Sequence, residues 1–204
     1  MSALQPQRVG LFGGAFDPPH RTHAALAEAA IAQLQLDILH VVPTGQAWHK
    51  QRTLTSPEHR LAMCRLAFGG LPRALVDDRE TRRSGPTYTI DTLTELQAQY
   101  PQAQLYLIMG EDQAKALASW HRAEELGRAA IICVASRSEP IAAVSPAFDS
   151  SELQNSQLQR LQLPPSPLNA TEVRNKTAHG QSISTLVIDS VARYIDQHHL
   201  YQAA

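Results

Sequence analysis

Short apolar runs alternate with helix-patterned stretches along the first two-thirds of the chain, and this alternation most restricts the fold. "RVGLF" precedes "THAALAEAAIAQL", "DILHVVP" precedes "SPEHRLAMCRLAF", "RALVDD" precedes "YTIDTLTELQAQY", and "AQLYLIMG" precedes "DQAKALASW". Strand followed by helix, repeated, implies a parallel sheet covered by helices on both faces. "RAAIICVAS", from Arg128, supplies a fifth strand.

Punctuation agrees with the periodicity. Ser56, with Pro57 and Glu58 after it, is a helix N-cap followed by a first-turn proline and an early acid, and Gly69-Gly70 ends the same helix. Pro101 closes the helix of "LTELQAQY". From Ser138 the texture changes: residues 138–167 are rich in Ser, Pro and Gln and read as an irregular surface excursion with one short helix, "SSELQNSQLQRLQ". Residues 168–204 read as a C-terminal helical part, with Asn169 capping and Gly180 ending "NATEVRNKTAHG" before a last amphipathic helix, "DSVARYIDQHHLY".

With 204 residues, the chain suits one domain, spanning 1–204. Its 18 basic and 19 acidic side chains leave a net charge of −1, which gives no general grip on nucleic acid or an anionic membrane. Small partners are expected. Cys64 and Cys133 lie in apolar stretches and form neither a metal motif nor a disulfide framework, so both are expected as buried thiols. "MSALQPQR" lacks the basic-then-apolar pattern of a signal sequence, and no apolar run approaches the roughly 20 residues that cross a bilayer. A soluble, cytoplasmic protein is expected.

"GLFGGAFDPPHRTH", Gly10 to His23, sits where strand one ends. In an open parallel sheet, ligands bind beyond the carboxyl ends of the strands, near the point where strand order reverses. Gly13 and Gly14 bare the backbone, a helix beginning near His20 would aim its dipole at the same place, and His20 and His23 would share one helical face. Three readings stay open on spacing alone: a phosphate grip, a plain turn, and a metal site. The last lacks the i, i+4 histidine pair and glutamate of a zincin, and neither common glycine-rich phosphate loop is present.

"GGAFDPPHRTH" resembles the G-G-x-F-D-P-x-H-x-G-H signature of H-x-G-H nucleotidyltransferases. In order along the chain, "GPTYTIDTL", "LIMGEDQAKALASWHRAEEL", "NATEVRNKTAHG" and "VARYIDQHHLY" are similar to segments of the bacterial nicotinate-nucleotide adenylyltransferases. The likeness implies an α/β, Rossmann-like, doubly wound parallel sheet with a small C-terminal helical portion. It implies transfer of the AMP part of ATP to nicotinate mononucleotide, giving nicotinate adenine dinucleotide and pyrophosphate, a step on the way to NAD.

Carried over by motif, His20, His23 and Arg174 are the expected catalytic residues. Gly13, Gly14, Phe16 and Thr171 would complete the ATP site with them, His23 stabilising charge at the α-phosphate and Arg174 matching the leaving phosphates with its fork of donors. Thr87, Tyr88, Gly110, Asp112, Trp120 and Lys50 would bind the mononucleotide, Trp120 stacking on its pyridine ring. Mg²⁺ would come with the triphosphate, held by phosphates and water, with no protein metal site. Association into a homo-oligomer stays open.

Three departures stand out: Thr22 replaces the glycine of H-x-G-H, Asn169 replaces a serine, and "QAWHK" replaces P-P-H-K. Two other readings compete. A pantetheine-phosphate adenylyltransferase shares the first motif, but His20 and the tryptophan segment argue against it. A non-catalytic nucleotide-binding regulatory protein of the same fold is motivated by Thr22 alone.

Overall fold

The computed structural model describes residues 5–45, 53–136, 158–164 and 168–202. Six parallel strands form one sheet: β1 (Arg8–Gly14), β2 (Ile38–Pro43), β3 (Ala74–Val76), β4 (Gln104–Gly110), β5 (Ile131–Ser136) and β6 (Leu158–Gln162), in the order β3-β2-β1-β4-β5-β6. The order reverses between β1 and β4, which pair from Arg8↔Gln104 to Phe12↔Ile108.

Helices cover both faces, as the alternation requires. α1 (Arg21–Gln33) and α2 (Pro57–Phe68) share one apolar layer with Phe12, Leu39 and Ile108. On the other face α4 (Thr89–Gln99), α5 (Glu111–Ala116) and α6 (Ala123–Ala129) pack over Val9, Leu11, Leu105 and Leu107, while the short α3 (Arg79–Arg82) follows β3. Successive side chains of a strand point to opposite faces, so Leu11 and Phe12 serve different layers.

The C-terminal helices α7 (Ala170–Ala178) and α8 (Asp189–Gln197), with the segment between them, build a third apolar cluster, Val173, Leu186, Val187, Val191 and Ile195, against Met63 of α2. Helix α2 is therefore sandwiched, with Cys64 and Phe68 in the sheet layer and Met63 in the C-terminal one. The Ser56 and Asn169 caps form as expected, Asn169 Oδ1 accepting the Glu172 amide at 2.9 Å. Gly180, φ 65°, supplies the left-handed residue just beyond α7. Both cysteines are buried, and burial pushes the Cys133 thiol up to about 12 and the Cys64 thiol higher still, so neither is a thiolate at neutral pH.

One expectation is overturned. "LQRLQ", read as part of a short helix in an irregular excursion, is strand β6, paired with β5 from Ile132↔Leu158 to Ser136↔Gln162. Of the same excursion, residues 138–157 and 165–167 lie outside the described residues. Gln33 at the end of α1 stands in for a neighbouring strand. Its amide donates to the Gln162 carbonyl at 2.8 Å and accepts the Gln162 N–H at 2.9 Å, covering the edge.

Beside β2 runs a buried polar chain. Gln99 donates to the Tyr100 hydroxyl (3.0 Å), which lies 3.1 Å from His40 Nε2, and His40 Nδ1 lies 2.7 Å from Asp77. Burial works against the Asp77 carboxylate, yet hydrogen bonds from His40 and Arg79 hold it well below the usual range. Arg79 donates to Asp77 and to Gln99, which anchors α3.

Candidate active site

A cleft of about 1050 Å³ opens over the carboxyl ends of β1 and β4, where the strand order reverses. The end of β1, the β1–α1 connection, α1 and α7 bring Gly13, Gly14, Phe16, His20, His23, Thr171 and Arg174 to it. The segment leading into α4, the end of β4, α5 and the segment after it bring Thr87, Tyr88, Gly110, Asp112 and Trp120. Every expected site residue but one thus lines a single cleft; Lys50 lies outside the described residues.

The H-x-x-H spacing has a local cause. His20 is the N-cap of α1 and His23 its third residue, and the His20 backbone N–H donates to His23 Nδ1 at 3.2 Å. An N3 side chain reaching back to the N-cap amide usually belongs to Glu or Gln. Here an imidazole does it, which places the proton of a neutral His23 on Nε2. The rings stack with centroids 3.7 Å apart.

Phe16 governs the floor of this pair. Its φ of 45° is rare for an aromatic residue and turns the ring inward, 5.1 Å from His23, 5.3 Å from Phe12 and 5.6 Å from Phe68. Gly14 makes room for it: a Cβ there would come within 3.1 Å of the Phe16 ring. Burial pulls the His20 pKa down to about 4, and burial together with the His20 ring holds His23 well below the imidazole range. The pair is therefore neutral at pH 7, a set of hydrogen-bonding groups and not a fixed positive charge. His20 Nδ1 is buried without a hydrogen-bond partner among the described residues.

The sign of the acid response follows. Because the folded-state pKa of His20 lies below its unfolded value near 6.5, the unfolded chain binds the extra proton first and acid favours unfolding. Stability is expected to fall between pH 6.5 and 4, with His20 contributing about 3 kcal/mol of the loss by pH 4. Urea titrations of wild type and His20→Asn, which keeps a good N-cap, check this; an unchanged acid slope in the variant would contradict it.

Among the described residues Gly13 has no neighbour within 4 Å of a Cβ built on it, so its missing side chain leaves open cleft and relieves no crowding there. Gly13→Ala is expected to leave Tm unchanged while raising KM for the ligand that occupies this part of the cleft about tenfold. Thermal unfolding and steady-state kinetics check the split. Thr22 is the second residue of α1 and lines the cleft; it is not among the residues with positive φ, so the backbone there does not demand the motif glycine.

Arg174 Nη1 donates to the Asp17 carbonyl at 2.9 Å and Nη2 to Thr171 Oγ1 at 3.0 Å, which joins α7 to the signature loop. On the far wall the Tyr88 and His121 rings stack at 4.1 Å beside Trp120, and Arg122, next in the chain, takes a left-handed conformation, φ 53°.

Sequence reading missed several residues. His121 belongs to the wall but carries no signal apart from its neighbour Trp120. Glu80, on α3, is buried at the cleft edge, where Thr92 Oγ1 donates to it at 2.7 Å; burial raises its pKa against the hydrogen bonds of Thr92, Thr87 and Thr44. Arg60 of α2, 1% exposed, donates to the carbonyls of Thr55 (2.8 Å), Ala15 (3.1 Å) and Gly45 (3.3 Å), stitching together the loops after β1 and β2.

Known proteins resemble this chain in sequence and in fold. Residues 11–184 match the family described as cytidylyltransferase-like. The chain is 53% identical over 198 residues, 97% of this chain and 100% of the other, to a protein of Albidiferax ferrireducens named "Probable nicotinate-nucleotide adenylyltransferase". It is 41% identical to one of the same name from Methylibium petroleiphilum, across 98% and 95% of the two chains. The solved structure of Plasmodium falciparum nicotinic acid mononucleotide adenylyltransferase complexed with APC shares the fold, with TM-score 0.76 at 19% identity over 96% of this chain and 97% of that one.

Proposed function

This chain belongs to the family of nicotinate-nucleotide adenylyltransferases, and on that premise we propose that its cleft transfers AMP from ATP to nicotinate mononucleotide. The observation that carries the reading is the meeting of two half-sites, one with imidazoles and an arginine, the other with aromatic rings and hydroxyls, in one cleft at the strand-order reversal. A volume of about 1050 Å³ has room for two nucleotides side by side.

In this reading an oxygen of the mononucleotide phosphate attacks the α-phosphorus of ATP. The bond to the oxygen bridging to the β-phosphate breaks, and its electron pair leaves with pyrophosphate. No side chain forms a covalent bond, so catalysis rests on positioning and on stabilising the charge that develops. Neutral His23, its Nδ1 engaged by the His20 amide, offers Nε2–H to an α-phosphate oxygen, a donor that needs no protonation at pH 7. Arg174 and Thr171 hold the departing phosphates. Gly13, Gly14, Phe16 and His20 shape the ATP side; Thr87, Tyr88, Gly110, Asp112 and Lys50 complete the mononucleotide side. The buried Asp17 and Glu80 are committed to protein hydroxyls. Mg²⁺ enters this reading with the triphosphate, as MgATP.

No helix among the described residues is long and apolar enough to cross a membrane, and small cytoplasmic metabolites are the partners this reading requires. Pyrophosphate release with nicotinate mononucleotide, nicotinamide mononucleotide or pantetheine phosphate as acceptor tests it. The acid mononucleotide is expected to give the highest kcat/KM; a higher value with pantetheine phosphate would overturn the reading. Trp120→Ala is expected to raise KM for the mononucleotide about tenfold and leave that for ATP within twofold, as removal of a stacking ring should. A selective ATP defect would place Trp120 on the wrong side.

A further inference from the structure

We propose that Tyr201, just beyond α8, is a positioning residue for the phosphate grip: its hydroxyl latches Asp17 and thereby sets Arg174. The Tyr201 hydroxyl donates to Asp17 Oδ1 at 2.6 Å across 184 residues of sequence. Asp17 is 1% exposed, and its other carboxylate oxygen accepts the Thr55 N–H at 3.2 Å. The main-chain carbonyl of the same Asp17 accepts from Arg174. A shift of Asp17 therefore displaces the acceptor that orients the Arg174 fork, whose other donor engages Thr171.

The ring and the hydroxyl of Tyr201 have separate partners. The Tyr201 ring packs on the apolar cluster of Met63, Val173 and Ile195, contacts that phenylalanine would keep. The residue also holds φ 62°, a backbone conformation costly for a bulky side chain, which persists where surrounding structure over-determines it. Burial and the neighbouring Asp17 raise the phenol pKa, so the hydroxyl remains a donor throughout the working pH range. The latch is made by Tyr201, Asp17 and Arg174, none of them assigned to the mononucleotide wall, so it should act on ATP alone.

This inference rests on the assignment of Arg174 to ATP phosphates, and a binding experiment separates the two. Calorimetry gives Kd for MgATP and for nicotinate mononucleotide with wild type, Y201F, R174K and the double variant, with Tm measured alongside. Y201F is expected to weaken MgATP about tenfold, to leave mononucleotide affinity within twofold and to lower Tm by only a few degrees. In the R174K background the effect of Y201F should shrink below threefold, because both changes act through one contact. A fall in Tm with MgATP affinity unchanged, equal weakening of both ligands, or additive effects in the double variant would each overturn the latch. Failure of wild type to bind MgATP would overturn the proposed function, and the latch with it.

Discussion

Replacing His23 by alanine is expected to lower kcat about 10²-fold or more while ATP affinity changes by no more than a few-fold, since its proposed role is to meet charge that appears only in the transition state. The ring is already in place before substrate arrives. His20 N–H fixes one nitrogen, Phe16 and His20 flank the ring, and burial keeps it neutral. Such a donor needs little reorganisation during reaction, which is why its loss should appear in kcat. Loss of the helix-capping bond should cost only about 1 kcal/mol, so the variant should remain folded. Steady-state kinetics with a calorimetric Kd for MgATP decide the matter; equal losses in kcat and affinity would assign His23 to ground-state binding instead.

The second large effect concerns stability. Arg60→Met is expected to destabilise the protein by about 3–5 kcal/mol and to lower Tm on the order of 10 °C. Methionine fills similar volume but leaves the carbonyls of Ala15, Gly45 and Thr55 without their donor. It also removes a cation close to the buried Asp17 carboxylate. Thermal unfolding checks it, and a drop below 3 °C would show that water replaces the guanidinium at little cost.

The sheet was legible because four apolar runs were each followed by a helix pattern, and local signals and tertiary packing agree at the helix ends marked by Ser56, Asn169 and Gly180. "LQRLQ" shows where they part. Leucines three apart suggest a helix, but the free edge of β5 and the side chain of Gln33 supply strand pairing that no local pattern encodes.

The candidate site divides in the same way. The H-x-x-H spacing is a consequence of helix geometry and could be read from the chain, whereas the neutrality of both imidazoles depends on burial by rings that assemble only in the fold. Gly13 was legible as a bare backbone; that Gly14 instead accommodates Phe16 was not. Arg60 and Tyr201 act on the signature loop from 45 and 184 residues away, and nothing beside them in sequence marks them.

The most direct test of adenylyl transfer in this cleft is product stoichiometry. With ATP, Mg²⁺ and nicotinate mononucleotide, chromatography should show dinucleotide and pyrophosphate appearing in equal amounts and at equal rates. Measurable ATP binding with neither product, or pyrophosphate released without dinucleotide, would contradict it.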